Sequence, residues 1–429
     1  MRVLWLCNIM LPMIAEKLHM ESTVKEGWLT GTMTRLIAEG RDGDITLAVA
    51  FPTNENMRNF HDVYVFNGTP VECFGYYEDM NVPEKYDRDL ERRFDTILDT
   101  FKPDMVHIFG TEYPHALAMA RAFQKPEKIL VGIQGIITLC AQNYMAGLQK
   151  EEYEKNSFRD WLKKDGLVAQ QKKFEKRGEL EVKTLRAVLN VTGRTAFDKQ
   201  FCESINDDIQ YFPMNETMRS CFYEGQWSLD KCKKHQIFFS QADYPLKGFH
   251  HMLKAMPKVL EKYPDATLVV AGADIIHKPG ILGFVKVSAY GQYLDKLIAE
   301  NDLTDKIKFL GKLSAEEMKQ TYLESHTFVC ASSVENSPNS VAEAMLLGTP
   351  VVASNVGGIP SMITNEKDGL LFENGDVDGL ADAVLRLWEE SPLPLSNRLS
   401  KIARERAHKV HHADTNYARL LEIYRTITK

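Results

Sequence analysis

Two glutamates, Glu335 and Glu343, stand eight positions apart on either side of a Ser-Pro pair. A short apolar stretch, 328–330, precedes them, and a second one, 350–353, follows them. Each carboxylate can accept hydrogen bonds from neighbouring hydroxyl groups. The spacing therefore suits a ligand with hydroxyls on both sides of an anionic group, such as a sugar joined through a diphosphate to a nucleoside.

The residues between the glutamates predict the start of a helix. Ser337 can cap that helix, Pro338 suits its first turn, and Gly348 can end it before the next strand. The backbone amides of Asn339 and Ser340 would then lie at the positive helix end, which favours an anion, with the second glutamate about two turns along. On spacing alone, an ordinary capped helix with two surface glutamates explains these residues equally well.

A lysine in another segment changes that balance. Lys247 and Gly248 follow a predicted strand, 237–240, at the opening of a predicted helix. An ammonium group at this position can neutralise a diphosphate as a point charge. Together with the two glutamates, Lys247 favours a site for a sugar nucleotide.

The composition excludes several classes of protein. The chain has 429 residues and a formal net charge of −7, whereas a general nucleic-acid binder has a basic surface. Seven scattered cysteines form no Cys-x-x-Cys pair, so we expect reduced thiols in a cytoplasmic protein rather than a disulfide framework or a zinc site. Asn8 and Pro12 interrupt the apolar start, which predicts a buried first strand rather than a secretion signal. No stretch reaches the roughly 18–20 apolar residues of a membrane span.

Strand-like apolar runs alternate with helical patterns in two series, which predicts an α/β protein with two parallel sheets. We expect two domains, 1–212 and 213–408, and a terminal helix, 409–429, that packs back on the first domain. Strand ends in two such sheets would face each other across a cleft, the usual place for a ligand. The predicted strands are 3–7, 45–50, 63–66, 105–109, 129–133, 187–192, 237–240, 267–272, 307–310, 327–330 and 350–354.

The charged segment 149–186 allows two interpretations. Its acids nearly balance its bases, which favours a solvated helical hairpin. A face that touches a membrane surface or an acceptor is the alternative.

Several motifs in the second half occur in the order found in a known family. The glutamate segment is followed by a Gly-Thr-Pro turn at 348–350 and by Val-Gly-Gly-Ile-Pro at 356–360. With Lys247-Gly248 and the Phe-Leu-Gly-Lys-Leu stretch at 309–313, this pattern resembles glycosyltransferase family 4, retaining enzymes of the GT-B fold. The resemblance is close in the C-terminal half and looser in the N-terminal half. It implies two tandem Rossmann-like domains facing each other across a cleft, with 1–212 on the acceptor side and 213–408 holding the donor.

The resemblance also implies roles for the matching residues. Glu343 would bind the ribose hydroxyls, Glu335 would hold the hydroxyls of the donor sugar, and Lys247 would stabilise the departing diphosphate. The base would lie against Lys312 and Leu313. The phosphates and the sugar would be cradled by Asn336, Ser337, Pro338, Asn339 and Ser340. Such enzymes typically need no metal, because positive side chains and helix ends balance the leaving-group charge, so we expect no cofactor beyond the sugar nucleotide as co-substrate.

Three positions depart from the family pattern. Ala242 occupies the place of an arginine five residues before the diphosphate lysine. Arg194 is the candidate to supply that charge from the first domain, and a surface arginine is the alternative. Gln134 stands where many members have a histidine; it can hydrogen-bond a sugar hydroxyl but cannot act as a base. A pair of glycines is often found near the first helix of the family, but here Glu26 takes the first of the two places. Gly27 alone would therefore approach the phosphates closely.

Two residues of the first half are candidates for contact with the acceptor or the sugar. His107 lies late in a predicted strand and Glu112 follows in the next loop, although a structural histidine is the favoured interpretation of His107. The Asp-x-Asp sequences at 87–89 and 376–378 match a metal-binding pattern, but both stand at predicted helix starts, where aspartate caps. We therefore expect no metal site.

The sequence predicts a metal-independent retaining glycosyltransferase that moves a sugar from a nucleotide diphosphate, UDP rather than GDP. The acceptor would be a glycan, a lipid-linked saccharide or a small molecule. We expect a cytoplasmic protein without a nucleic-acid partner, and peripheral association with the inner face of a membrane stays open. Two alternatives remain: a catalytically silent GT-B scaffold, favoured by Ala242 and Gln134, and a sugar-nucleotide epimerase.

Overall fold

Two α/β units, each organised around its own sheet, make up the chain. The computed structural model describes residues 1–20, 27–39, 45–277, 280 and 283–429. The first unit comprises Met1–Leu139, Lys173–Arg219 and His411–Lys429, and the second comprises Cys140–Lys172 and Ser220–Val410.

Residues 140–172 belong to the second unit, whereas the sequence prediction placed them in the first domain. Buried hydrogen bonds hold them there. The Asp160 carboxylate accepts from the Ala289 amide at 2.6 Å, and His250 Nε2 lies 3.0 Å from the Ala146 carbonyl oxygen. The segment 411–429 lies in the first unit.

Apolar runs with branched side chains form the strands, as their β propensity favours. Across the described residues the strands are β1 Arg2–Leu6, β2 Thr46–Thr53, β3 His61–Phe66, β4 Thr69–Tyr77, β5 Met105–Phe109, β6 Ile129–Gly132, β7 Asn190–Gly193, β8 Gln210–Pro213, β9 Lys233–Phe239, β10 Thr267–Ala271, β11 Ile307–Gly311, β12 Ser325–Cys330, β13 Val351–Ser354 and β14 Leu370–Phe372.

Helices connect most of these strands, and many begin at a capping side chain. Within the same residues they are α1 Pro12–Lys17, α2 Gly27–Glu39, α3 Asp89–Phe101, α4 Pro114–Phe123, α5 Ile137–Gln142, α6 Lys150–Tyr153, α7 Phe158–Lys163, α8 Leu167–Arg186, α9 Ala196–Ile205, α10 Phe249–Lys262, α11 Ala289–Glu300, α12 Ala315–Glu324, α13 Asn339–Leu347, α14 Ile359–Met362, α15 Val377–Trp388, α16 Leu395–Val410 and α17 Ala413–Thr428. Ser157, Thr195 and Ser314 each accept a hydrogen bond from the third amide of the helix that follows.

The sheet of the first unit has the order β3-β4-β2-β1-β5-β6-β7-β8, in which only the β3–β4 pair is antiparallel. In its central strand, Leu4 and Leu6 enter one apolar core while Val3 and Trp5 enter the core on the opposite face. Both faces are therefore covered, which explains why β1 reads as a continuous apolar run.

The C-terminal helix α17 closes one of these faces. Tyr424 is fully buried, its hydroxyl accepts a hydrogen bond from Trp5 Nε1 at 2.9 Å, and it lies 2.7 Å from His107 Nδ1. The last helix thus completes the core of the unit that contains the first strand.

The sheet of the second unit has the order β11-β10-β9-β12-β13-β14 and is parallel throughout. The chain proceeds outward from β9 to β11 and then returns to the other side of β9 with β12. The reversal makes β9 and β12 a topological switch point, and the crevice outside the strand ends at such a point is where open parallel sheets bind ligands.

All predicted strands correspond to observed ones, with ends shifted by a few residues, but β4, β8 and β14 were not predicted. Strand β4 carries Pro70 at its second position, and β8 is only four residues long with two exposed residues, so neither shows a clear strand pattern. The predicted boundary between residues 212 and 213 thus falls inside β8.

Candidate active site

The loops that follow β9 and β12 contact each other at the switch point of the second sheet. The Ser333 amide donates to the Leu246 carbonyl at 2.8 Å. Gly248 adopts φ of +71°, and a Cβ atom there would lie 1.8 Å from the Ala331 carbonyl oxygen. Only glycine fits this approach, so the loop that carries Lys247 is held against the loop that carries Glu335.

This contact brings the predicted lysine and the first predicted glutamate together. Lys247 Nζ lies 2.6 Å from Glu335 Oε1, and the side chains are 21% and 14% exposed. Ser332 Oγ donates to the same carboxylate oxygen at 2.8 Å. Burial lowers the pKa of Lys247, but the attraction of Glu335 outweighs it and holds that pKa well above its usual range, so Lys247 is a cation.

A third loop fixes the backbone of the glutamate. The Gly358 amide, which follows β13, donates to the Glu335 carbonyl at 2.9 Å, and Ser354 Oγ donates to the Ser332 carbonyl at 2.5 Å. The Val-Gly-Gly-Ile-Pro motif therefore supports the position of Glu335 through its backbone.

Helix α13 begins two residues later than its predicted cap. Pro338 occupies the N-cap position without a side-chain hydrogen bond, so the prediction that Ser337 caps the helix is wrong. Within the described ranges, the amides of Asn339 and Ser340 donate no hydrogen bond to another residue, as expected for the first helical positions. Gly348 ends the helix with φ of 80°, as predicted.

The second glutamate lies inside this helix. Glu343 is about one turn beyond Asn339, not two, and is only 5% exposed. Asn336, which precedes the helix, is equally buried. Lys312 and Leu313 follow β11, two strands away from β9, and Lys312 is exposed.

In the first unit, Arg194 is engaged by a residue that the sequence did not single out. It forms an ion pair with Glu216, in which both side chains are less than a tenth exposed. Gln134 Nε2 donates to Glu216 Oε1 at 2.9 Å. Arg194 is therefore a buried, paired side chain and not the surface arginine of the alternative interpretation. Glu216 follows β8, and no local sequence pattern identifies it.

The other candidates of the first unit have structural contacts. His107 is fully buried, bonds Tyr424, and desolvation lowers its pKa to about 3, so it is neutral. The Glu112 carboxylate accepts from the Gly135 amide at 2.8 Å, and burial raises its pKa while that amide opposes the rise. Gly27 is the first residue of α2, and Glu26 lies outside the described residues.

The second unit also matches a known family. Residues 226–406 match the family model described as glycosyl transferases group 1. The match includes Lys247, Glu335 and Glu343, the residues placed at or beside the switch point. This part of the chain is therefore similar to the group 1 glycosyl transferases.

Individual relatives match this chain over part of their length. An uncharacterized glycosyltransferase of Methanocaldococcus jannaschii is 31% identical over 155 residues, which cover 35% of this chain and 36% of the relative. A D-inositol 3-phosphate glycosyltransferase of Corynebacterium urealyticum is 28% identical over 183 residues, 42% of this chain and 41% of the relative. The chain thus spans less than half the length of these two curated relatives.

Solved structures match over nearly the whole chain. Sucrose-phosphate synthase of Thermosynechococcus elongatus gives a TM-score of 0.69 at 14% identity, over 99% of this chain and 98% of that one. Anabaena HepE in complex with UDP and glucose gives a TM-score of 0.66 at 15% identity, over 99% and 100%. At such identity the likeness shows the fold alone, and with two Rossmann-like units it confirms the predicted GT-B class.

The Asp-x-Asp sequences have local partners. Asp376 Oδ1 accepts from the Gly379 amide at 2.9 Å and so caps α15. Asp87 Oδ1 accepts from the Asp89 amide at 2.9 Å. Within the described ranges, no three His, Cys, Asp or Glu side chains are grouped as metal ligands, and no helix has the length and apolar character needed to cross a membrane.

Proposed function

We propose that this protein is a retaining glycosyltransferase that moves a sugar from a nucleotide diphosphate sugar to a glycan, a lipid-linked saccharide or a small-molecule acceptor. One observation carries the proposal: Lys247 and Glu335 meet at the switch point of a sheet whose residues match the group 1 glycosyltransferases. A cation for the diphosphate and an acceptor for sugar hydroxyls are thus adjacent.

The donor binds by replacing the contacts that these side chains make with each other. The ammonium group of Lys247 would bind the diphosphate, and the positive end of α13 would add the amides of Asn339 and Ser340. The Glu335 carboxylate would then accept hydrogen bonds from the sugar, and Glu343 from the ribose. Lys312 and Leu313 are proposed to contact the base.

Transfer requires the sugar–phosphate bond to break while the acceptor oxygen bonds to the anomeric carbon on the same face. The acceptor hydroxyl proton passes to the departing phosphate oxygen, so charge is conserved without an added base. Lys247 stabilises the negative charge that develops on the diphosphate. Because this cation and a helix end supply the positive charge, we propose that no metal is required.

UDP is the proposed nucleotide. Anabaena HepE, which shares the fold, has been solved in complex with UDP and glucose. A Corynebacterium glutamicum relative that is 30% identical over 153 residues is described as GDP-mannose-dependent. The binding experiment therefore compares both nucleotides.

The acceptor side is proposed to lie in the first unit near Gln134. Its amide bonds Glu216, which pairs with Arg194, and these residues line one recess together with His107. Glu112 holds the loop of Gln134 through the Gly135 amide. We propose a cytoplasmic location because the seven cysteines are scattered and form no Cys-x-x-Cys pair.

Calorimetric titration with UDP, GDP and their sugar nucleotides tests the donor site. We expect Glu343→Gln to weaken donor binding about tenfold or more, because the ribose loses a charged acceptor. Without an acceptor we expect slow hydrolysis of the sugar nucleotide, and Glu335→Ala should abolish it. Asp378→Asn, an exposed position on α15, serves as the control and should change neither property.

The outcomes separate the functions. Binding of no nucleotide by a folded protein would contradict the proposed donor site. Tight donor binding with no turnover on any acceptor and no hydrolysis would favour a sugar-nucleotide binding protein instead.

A further inference from the structure

Helix α7 of the second unit turns apolar side chains toward solvent. Phe158, Trp161 and Leu162 are 59%, 69% and 65% exposed. They stand at i, i+3 and i+4 and therefore share one face of the helix. The rings of Phe158 and Trp161 contact each other, with centroids 5.9 Å apart. We call these three residues the α7 apolar face.

The opposite face of the same helix is polar and buried. Ser157, the N-cap, and Asp160 are 6% and 3% exposed. Ser157 Oγ accepts from the Asp160 amide, and the Asp160 carboxylate accepts from the Ala289 amide of α11 at 2.6 Å. A salt bridge from Arg159 to Asp160 and Asp165, both at 2.8 Å, adds to this anchor.

This anchor shows that the outward direction of the α7 apolar face is fixed by the fold. Rotating the helix to bury Trp161 would expose the Asp160 contacts and leave the Ala289 amide without its acceptor. A soluble globular surface rarely presents three adjacent large apolar side chains, and such patches mark interaction sites.

The charges around the face are positive. Lys155, Lys163 and Lys164 flank it and are exposed, while Asp160 and Asp165 are engaged by Arg159. Glu154, four residues before Phe158, pairs with Lys150, and Glu151 is a further exposed acid of this segment. The turn Gly283–Lys286 packs beside α7 and ends in another exposed lysine.

We propose that the α7 apolar face docks on the surface of a membrane that contains anionic lipids. Tryptophan, phenylalanine and leucine partition into the boundary between headgroups and acyl chains, and tryptophan is enriched there. The flanking lysines would contact lipid phosphates, each adding about a fivefold increase in membrane partitioning. Charge complementarity with anionic headgroups selects a membrane over an uncharged apolar partner.

Docking by this face is independent of the donor site. None of its residues belongs to the proposed donor or acceptor contacts, so donor hydrolysis in solution should be the same with and without it. Loss of membrane binding and loss of nucleotide binding can therefore be measured separately.

Flotation of the full chain with lipid vesicles tests the proposal. We expect stronger binding to vesicles of phosphatidylcholine with phosphatidylglycerol than to phosphatidylcholine alone. Phe158→Ser/Trp161→Ser/Leu162→Ser should lose at least tenfold in partitioning. Lys163→Gln/Lys164→Gln should lose about fivefold for each lysine on anionic vesicles only.

Matched variants control for nonspecific effects. Leu393→Ser removes an exposed apolar side chain elsewhere, and Lys401→Gln/Lys296→Gln removes two exposed charges from other helices; both should bind vesicles as the natural chain does. A blue shift of tryptophan fluorescence on anionic vesicles, absent in Trp161→Phe, would locate the contact at α7.

Three results would overturn the proposal. These are equal binding to neutral and anionic vesicles, unchanged binding by the triple variant, and absence of binding to any vesicle. Concentration-dependent dimerisation in light scattering, lost in the triple variant while vesicles remain unbound, would assign the face to a second copy of the chain instead.

Discussion

Replacing Glu335 with glutamine is expected to strengthen binding of a free nucleoside diphosphate while it weakens sugar transfer. Lys247 Nζ lies 2.6 Å from Glu335 Oε1, so a diphosphate must compete with this carboxylate for the ammonium group. Only about a fifth of the lysine side chain is exposed, and water therefore screens the pair incompletely. Glu335→Gln removes the competing charge and keeps the shape of the side chain.

The size of the gain follows from the strength of the contact. A hydrogen bond to a charged group contributes about 1.5–3 kcal/mol, and partial exposure of this pair favours the lower value. If Lys247 makes this hydrogen bond with a diphosphate instead of with Glu335, UDP binding should tighten about tenfold, since 1.4 kcal/mol is a factor of ten. Transfer should slow because a neutral amide holds donor-sugar hydroxyls more weakly than a carboxylate does.

Calorimetric titration with UDP and single-turnover measurements with the sugar nucleotide check the two halves of this prediction. Glu366→Gln, which alters an exposed glutamate paired with Arg386, is the control. In Glu335→Gln/Lys247→Gln the gain in affinity should vanish. UDP binding that is unchanged or weaker in Glu335→Gln, at unchanged thermal stability, would refute competition between the carboxylate and the diphosphate.

Three further predictions concern the stability of the fold, and each is checked by the free energy of unfolding from urea titration. Gly248→Ala should lower the free energy of unfolding by about 2–5 kcal/mol, because a left-handed φ is combined with overlap of the new Cβ on a carbonyl oxygen. Gly375→Ala has a φ of 80° but open space among the described residues, so it should lower the free energy by only about 1 kcal/mol. Equal losses in the two variants would contradict this. Tyr424→Phe should cost about 2–4 kcal/mol by orphaning two buried ring nitrogens, and a smaller loss would show that water replaces the hydroxyl. Burial lowers the pKa of His107 and His326 to about 3, below the usual 6.5. As the pH falls, these histidines therefore take up protons in the unfolded chain before they do so in the folded one, and the free energy of unfolding decreases below pH 6.5. Between pH 7.5 and 5.5 each histidine should account for about 1.4 kcal/mol of that fall, and an equal fall in His326→Gln would contradict it.

Five of the six strands of the second sheet were predictable, because they are short, apolar and separated by recognisable helices, whereas β14 was not predicted. The pairing of Lys247 with Glu335 was not, since it depends on which strands become neighbours. The order of strands around β9 places two loops 88 residues apart in contact, and only the parallel topology with its reversal specifies that. Sequence spacing predicted a chemistry for these residues, and the fold brings the two side chains together.

Errors in the sequence prediction also have physical causes. Ser337 is a good capping residue, but Pro338 with extended backbone already occupies the N-cap position, so α13 begins one residue after it. The segment 140–172 looked like part of the first domain by continuity. Its polar residue Asp160 instead satisfies an amide of α11, a contact that no local pattern encodes.

Both units place an ion pair where parallel strands end, and the difference between the two pairs indicates which one can exchange for a ligand. In the first unit, Gln134, Arg194 and Glu216 follow the adjacent strands β6, β7 and β8. The side chains of Arg194 and Glu216 are at most 6% exposed, and Glu216 also accepts a hydrogen bond from Gln134, so separating the pair would leave buried charges uncompensated.

Each side chain of the pair in the second unit is about three and a half times more exposed, at 21% and 14% against 6% and 4%, and Glu335 precedes the amides that open α13 by a few residues. A diphosphate can therefore reach Lys247 without first unburying it, and the separated Glu335 keeps the Ser332 hydroxyl as a donor. The same arrangement of charges thus stabilises one unit, and in the other it can exchange an internal partner for the sugar nucleotide that we propose as ligand.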